Sequence, residues 1–120
     1  MANTPTITSF AGNDVDLNLT IYQEDGITPY DLSTITALTY ALALAPQGTP
    51  IVTKSLTGGI TITNAAQGKF TVALASADTQ GLGGAVGITY YHECTLVTSA
   101  DAVITCYSGY ITIYPTLIGT

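Results

Sequence analysis

The sequence predicts an all-β protein, an antiparallel β-sandwich of about seven to eight strands. Three observations predict it. Apolar and polar residues alternate with a period of two over most of the chain. β-Branched residues crowd the alternating runs, and turn-forming residues break them at short intervals. A length of 120 residues suits one domain with a sizeable core. The expected layout is a single domain over residues 1–120, with a core over about 15–114 and short arms at 1–13 and 115–120. Uneven strand lengths, with Pro and Lys at the edges, favour a sandwich over a barrel.

The elements follow in order. Val15, Leu17, Leu19 and Ile21 alternate with Asp16, Asn18 and Thr20, which predicts a half-buried strand. Glu24-Asp25-Gly26 is a turn signal, and Pro29 keeps the next segment extended. Thr36, Leu38, Tyr40, Leu42 and Leu44 share one face of a second strand, with Ala37, Ala41 and Ala43 on the other. Pro50 opens a short strand over 51–56, expected at an edge. Ile60-Thr61-Ile62-Thr63 alternates, 64–68 turns the chain, and Phe70, Val72 and Leu74 alternate again. Ser76 or Asp78 is placed to cap one helical turn, which Gly81, Gly83 and Gly84 then stop.

The last third reads as a long hairpin, 88–98 and 102–114, turning at Ser99-Ala100-Asp101. With Val97 facing Val103, the register sets Cys94 opposite Cys106 and Tyr90 opposite Tyr110. Tyr90, His92, Cys94 and Leu96 face inward on the first strand. On the return strand Ile104 and Cys106 share that face, but Ile111 and Ile113 have the opposite parity. One extra residue reconciles them, and a β-bulge is expected at Ser108-Gly109.

Composition excludes several functions. Hydrophobic residues make up 47% and charged residues 8%, against roughly a quarter charged in ordinary globular chains. The surface must therefore be mostly Thr, Ser, Asn, Gln and Gly, which suits a protein packed against neighbours. With a formal charge of −6, two lysines and no arginine, the chain is unsuited to phosphate contacts, so no nucleic-acid partner is expected. No run is long and apolar enough for a membrane helix, and 1–13 lacks the basic start of a secretory signal, so a cytoplasmic origin is expected.

Candidate chemistry is sparse. Cys94 and Cys106, opposite on neighbouring strands, are a candidate cross-strand pair. Either they bridge or they are two buried thiols acting as small hydrophobes, and a reducing cytoplasm favours thiols. Zinc would need more ligands than these two and His92. His92 and Glu93 are adjacent on a strand, so they point apart and do not cooperate as acid and base; the plainer reading of His92 is a core or interface histidine bonded to backbone. Asp14, Asp16, Glu24, Asp25 and Asp31 lack the spacing of a calcium loop, and Gly81-Leu82-Gly83-Gly84 lacks the Lys and helix of a phosphate cradle. No catalytic residue, metal site or cofactor is expected. The tyrosines of the final hairpin are more informative. Tyr91, Tyr107, Tyr110 and Tyr114 are candidate interface residues, because both parities carry tyrosine and few charges surround them. The competing reading is ordinary sandwich filling, including a tyrosine corner.

Three segments carry a resemblance: DGITPYDLS (25–33), GGITITNAAQGKFTVALASADTQGL (58–82) and ITYYHECTLVTSADAVITCYSGYITI (88–113). Together they resemble a family of small tailed-bacteriophage virion proteins, similar to the immunoglobulin-like N-terminal domain of phage baseplate upper proteins. The matching positions are Asp25, Gly26, Pro29, Asp31 and Leu32, then Gly59, Ile60 and Ile62. Gly68, Phe70, Val72, Leu74, Asp78 and Thr79 follow, then Tyr90, Tyr91 and Glu93, and finally Ser108, Gly109, Ile111 and Thr112. Cys94 and Cys106 depart from the pattern, standing where it has aliphatic residues. The resemblance implies an immunoglobulin-like sandwich in a virion structural accessory protein. Such a protein would be made in the host bacterial cytoplasm and would dock on capsid or tail subunits, or on copies of itself, through edges, the tyrosine face and the arms. The alternative is a carbohydrate- or cell-surface-binding sandwich, which the absence of Trp weakens.

Overall fold

The computed structural model describes residues 6–23 and 25–116. They form eight strands: β1 (Thr6–Phe10), β2 (Val15–Thr20), β3 (Ala37–Ala43), β4 (Val52–Leu56), β5 (Gly59–Asn64), β6 (Lys69–Leu74), β7 (Ile88–Val97) and β8 (Val103–Tyr114). A 3-10 turn, Ala65–Gln67, joins β5 to β6, and one helical turn, α1 (Ser76–Thr79), follows β6. Hydrogen-bonded neighbours run β1-β8-β7-β3-β4-β5-β6-β2. The link between β4 and β5 is only two residue pairs, Ser55↔Gly59 and Leu56↔Ile60. There the sheet folds over, so that β5, β6 and β2 lie across β1, β8, β7, β3 and β4. The fold is an all-β, immunoglobulin-like sandwich.

Alternation builds the core. Leu17, Leu19 and Ile21 from the β2 segment meet Phe70, Val72 and Leu74 of β6 on one side. Leu38, Tyr40 and Leu42 of β3, with Tyr90, His92, Cys94 and Leu96 of β7, fill the other. Leu44, grouped with the face of Leu38, Tyr40 and Leu42, is 64% exposed; β3 ends one residue earlier, at Ala43. The expected edge strand is β4, which lies inside the pairing order yet meets β5 only at Ser55 and Leu56.

The N-terminal arm needs correction. Within 1–13, Thr6–Phe10 is a strand paired in parallel with β8, Thr6↔Tyr110 through Phe10↔Tyr114. Ala11 is buried, and its N–H donates to Tyr114 O at 2.9 Å. Alternation over five residues is too short a signal to reveal a strand whose partner lies a hundred residues away. The parts of both arms at 1–5 and 117–120, and Glu24 of the predicted turn, lie outside the described residues.

Turns follow local chemistry. Asp25 Oδ1 accepts from the N–H of Ile27 and Thr28 at 2.9 and 2.8 Å, and Gly26 takes a left-handed φ of 72°. Asn64 Oδ1 accepts from Gln67 N–H, and Gly68 closes that turn at φ 68°. Asp78, one of the two expected caps, accepts from Ala75 N–H at 2.8 Å, whereas the Ser76 N–H donates to Asp14 Oδ1. Lys54 of β4 adds an ion pair to Asp78 at 2.8 Å.

In the hairpin, Val97 does face Val103, but Cys94 faces Tyr107, Tyr90 faces Ile111 and Tyr91 faces Tyr110. The register shifts between Cys94 and Thr95, leaving Cys106 as the extra residue on β8. A parity break is therefore present, two residues earlier than Ser108-Gly109. Apolar side chains mark it: Cys106 and Tyr107 are consecutive and both buried, as a bulge requires. Gly109 is instead an ordinary inward position opposite His92.

The strand order matches a variable-type immunoglobulin sandwich. β2, β6 and β5 take the places of strands B, E and D, and β8, β7, β3 and β4 those of G, F, C and C′. Tyr90 forms the tyrosine corner near the start of β7, its Oη donating to Leu82 O at 2.6 Å. Both cysteines lie in β7 and β8, so no disulfide spans the two layers.

Gly68 is the most exacting turn position. A Cβ there would stand 2.5 Å from Ile21 O and 2.8 Å from Tyr30 O, both backbone atoms, at a φ that L-residues avoid. Gly68→Ala is expected to destabilise the fold by about 2 kcal/mol or more, read as a lowered urea midpoint; an unchanged midpoint would contradict this.

Candidate functional site

Ionisable groups of the core come first, since any chemistry would start there. His92 is fully buried between the layers. Its position two residues after the corner tyrosine is the one that a disulfide cysteine takes in antibody domains. Its Nδ1 lies 2.9 Å from Tyr40 Oη. The imidazole meets the rings of Tyr40 and Tyr107 edge-on, each with centroids 5.5 Å apart. This aromatic sandwich, not a backbone bond, holds the histidine. Burial pushes the His92 pKa down to about 4, and raises that of Tyr107 to about 12. Tyr40 is raised further, first by burial and then by its proximity to Cys94 and Tyr107.

Cys94 and Cys106 are free and buried, and the Cys106 thiol donates to Cys94 O at 3.4 Å. Burial pushes the Cys106 thiol up to about 12 and the Cys94 thiol higher. A thiol so raised supplies no thiolate nucleophile near neutral pH. The single histidine is sealed and the thiols are inert, so the core groups serve packing. Among the described residues no cluster of three metal-ligating side chains forms.

Outer faces differ between the layers. On β2, β6 and β5 the outward residues include Asp16, Asn18, Lys69 and Thr71, with Thr71 Oγ1 donating to Asn18 Oδ1 at 2.8 Å. Such a surface is adapted to water. On the five-stranded layer the outward positions include Thr8 and Phe10 of β1, Ser108, Tyr110, Thr112 and Tyr114 of β8, and Thr89, Tyr91, Glu93 and Thr95 of β7. Ala37, Thr39, Ala41 and Ala43 of β3 and Thr53 and Ser55 of β4 continue it. Glu93 is the single charge among these described positions.

Three of the four candidate interface tyrosines lie on this face. Tyr110 is 45% and Tyr114 40% exposed. Tyr91 is half-buried and packs edge-on against Tyr110, with centroids 5.8 Å apart, while hydrogen-bonding Ser108. Tyr107 is the exception and a correction: it is 1% exposed, because the bulge at Cys106 turns it inward against His92. Phe10 was missed. It is 50% exposed and packs against Tyr114 with ring centroids 6.2 Å apart. Only the parallel β1–β8 pairing brings it to the face. Gly87 underlies this corner, where a Cβ would stand 2.7 Å from the Tyr114 ring.

No family model matches the chain, and none of the curated proteins matches it. Solved structures similar to it include the NK cell receptor Nkp44, described as a triggering partner in natural cytotoxicity. That chain is 15% identical at a TM-score of 0.48, over 92% of this chain and 98% of the receptor's. Another is murine CRIg, 14% identical at 0.48 over 95% of each. Neither likeness bears on what this chain binds. Strand order, the tyrosine corner and the sealed core define its class: an immunoglobulin-like β-sandwich module.

Two predictions follow from the core. His92 binds a proton more weakly folded than unfolded, so its contribution is whole above the unfolded value of 6.5 and is lost as pH falls towards 4. The loss should reach about 3 kcal/mol. Urea midpoints measured from pH 7 to 4 should drop accordingly, and His92→Leu should flatten the curve in that window. Separately, Tyr107 Oη is buried with no hydrogen-bond partner, so Tyr107→Phe should be neutral or stabilising by about 1 kcal/mol. Tyr40→Phe, which strips His92 Nδ1 of its partner, should cost about 1 kcal/mol. Equal losses for the two in thermal unfolding would contradict the assignment.

Proposed function

We propose that the chain is a non-enzymatic structural accessory protein of a bacteriophage particle, docking on capsid or tail subunits by protein–protein contact. One observation carries the docking part: the outer face of the five-stranded layer combines three exposed or half-buried tyrosines, Phe10 and a field of Ala and Thr with one charge. Charge depletion with aromatic enrichment is the composition of a contact surface. Small residues on β3 keep that face low, so a partner can approach the sheet backbone. The virion part is supported by the resemblance over 25–33, 58–82 and 88–113, whose residues include Tyr91 and Glu93 of this face.

Mass spectrometry of gradient-purified particles should find the protein at a fixed copy number, and its absence from them would overturn the reading. Tyr110→Ala, which leaves the core untouched, should weaken incorporation roughly tenfold or more, the scale of an aromatic anchor at an interface. A glycan-array signal lost in the same variant would instead select a carbohydrate-binding module.

A further inference from the structure

Glu93 is central on the face described above. β7 is the middle strand of β1-β8-β7-β3-β4, and Glu93 is the sixth of its ten residues. It pairs with Ala41 of β3 on one side and Ser108 of β8 on the other. Tyr91 and Thr95 precede and follow it on the same face. The side chain is already half-buried. A partner laid on this face would remove its remaining water, which is costly for a carboxylate unless a countercharge arrives with the partner.

Among the described residues no side chain supplies such a countercharge. Its two basic side chains are Lys54 and Lys69. Lys54 Nζ is held by Asp78 at 2.8 Å, and Lys69 belongs to β6, in the opposite layer. Twofold pairing of two copies with its axis at the centre of the face would bring the two Glu93 carboxylates together, in molecules that each carry a formal charge of −6. We infer that the five-stranded face docks on a different protein, one that presents a Lys or Arg to Glu93 from a flat, weakly charged surface. Glu93 thereby excludes self-pairing and selects the partner. This rests on the docking role proposed above for the same face.

Two measurements test it. In sedimentation at high protein concentration, the wild type should be a monomer and Glu93→Gln should self-associate. A wild-type dimer that Tyr110→Ala dissociates would overturn the inference, as would identical sedimentation of wild type and Glu93→Gln. On purified particles, a zero-length carbodiimide couples carboxylates to neighbouring amines. Glu93→Lys, confirmed folded by thermal unfolding, should lose incorporation, whereas a link from Glu93 to a lysine of another protein would identify the partner directly. A Glu93–Lys69 link between copies, or wild-type copy number for Glu93→Lys, would overturn it. Absence of the wild-type protein from particles would sink the virion reading alone, and the sedimentation outcome would still decide the role of Glu93.

Discussion

The long hairpin of β7 and β8 is the middle of the molecule, and its geometry turns on one unpaired residue, Cys106. Before it, Ile104 packs against the core. After it, Tyr107, Ile111 and Ile113 do so, on the other parity. The extra residue lets β8 keep Ile104, Tyr107, Ile111 and Ile113 on the inner face although the apolar pattern changes phase midway. It also decides what reaches the surface. Tyr110, Thr112 and Tyr114 are outward because the count restarts at Cys106, and Tyr107 is inward for the same reason. Cysteine suits this position, since it is small, apolar and able to donate weakly to Cys94 O.

The bulge is coupled to the polar centre of the core. Turning Tyr107 inward gives His92 a second aromatic wall opposite Tyr40. The layers of an antibody domain are pinned by a disulfide packed on tryptophan. Here no disulfide spans the layers, and an edge-on Tyr–His–Tyr stack occupies the place. It fills a large volume with rings at the cost of buried polar atoms, two of which, His92 Nε2 and Tyr107 Oη, have no partner. Between pH 6.5 and 4 this imidazole thereby contributes to the loss of stability.

The outer face follows from the same register. Because β1 runs parallel to β8, Phe10 lies beside Tyr114 and extends the aromatic corner that Gly87 leaves room for. Because β3 places Ala41 and Ala43 opposite Glu93 and Tyr91, the centre of the face is low and flat. In the docking role proposed for this face, the single carboxylate at that centre makes the surface selective.

Much of this was legible in the residues alone. Period-two alternation marked the inner faces of β2, β3, β6 and β7, since a strand half in water must alternate. The conflict of parity between Cys106 and Ile111 announced a bulge, and composition announced a sparsely charged surface. Placement of the bulge was not legible, because Cys, Gly and Ser all tolerate one and only the packing of Tyr107 against His92 decides among them. Nor was β1 or its parallel partner: alternation identifies the faces of a strand, whereas the identity and direction of its neighbour are long-range facts. The tertiary structure alone decided that Tyr107 belongs to the core, that Phe10 joins the surface tyrosines, and that Glu93 sits at the middle of the face they share.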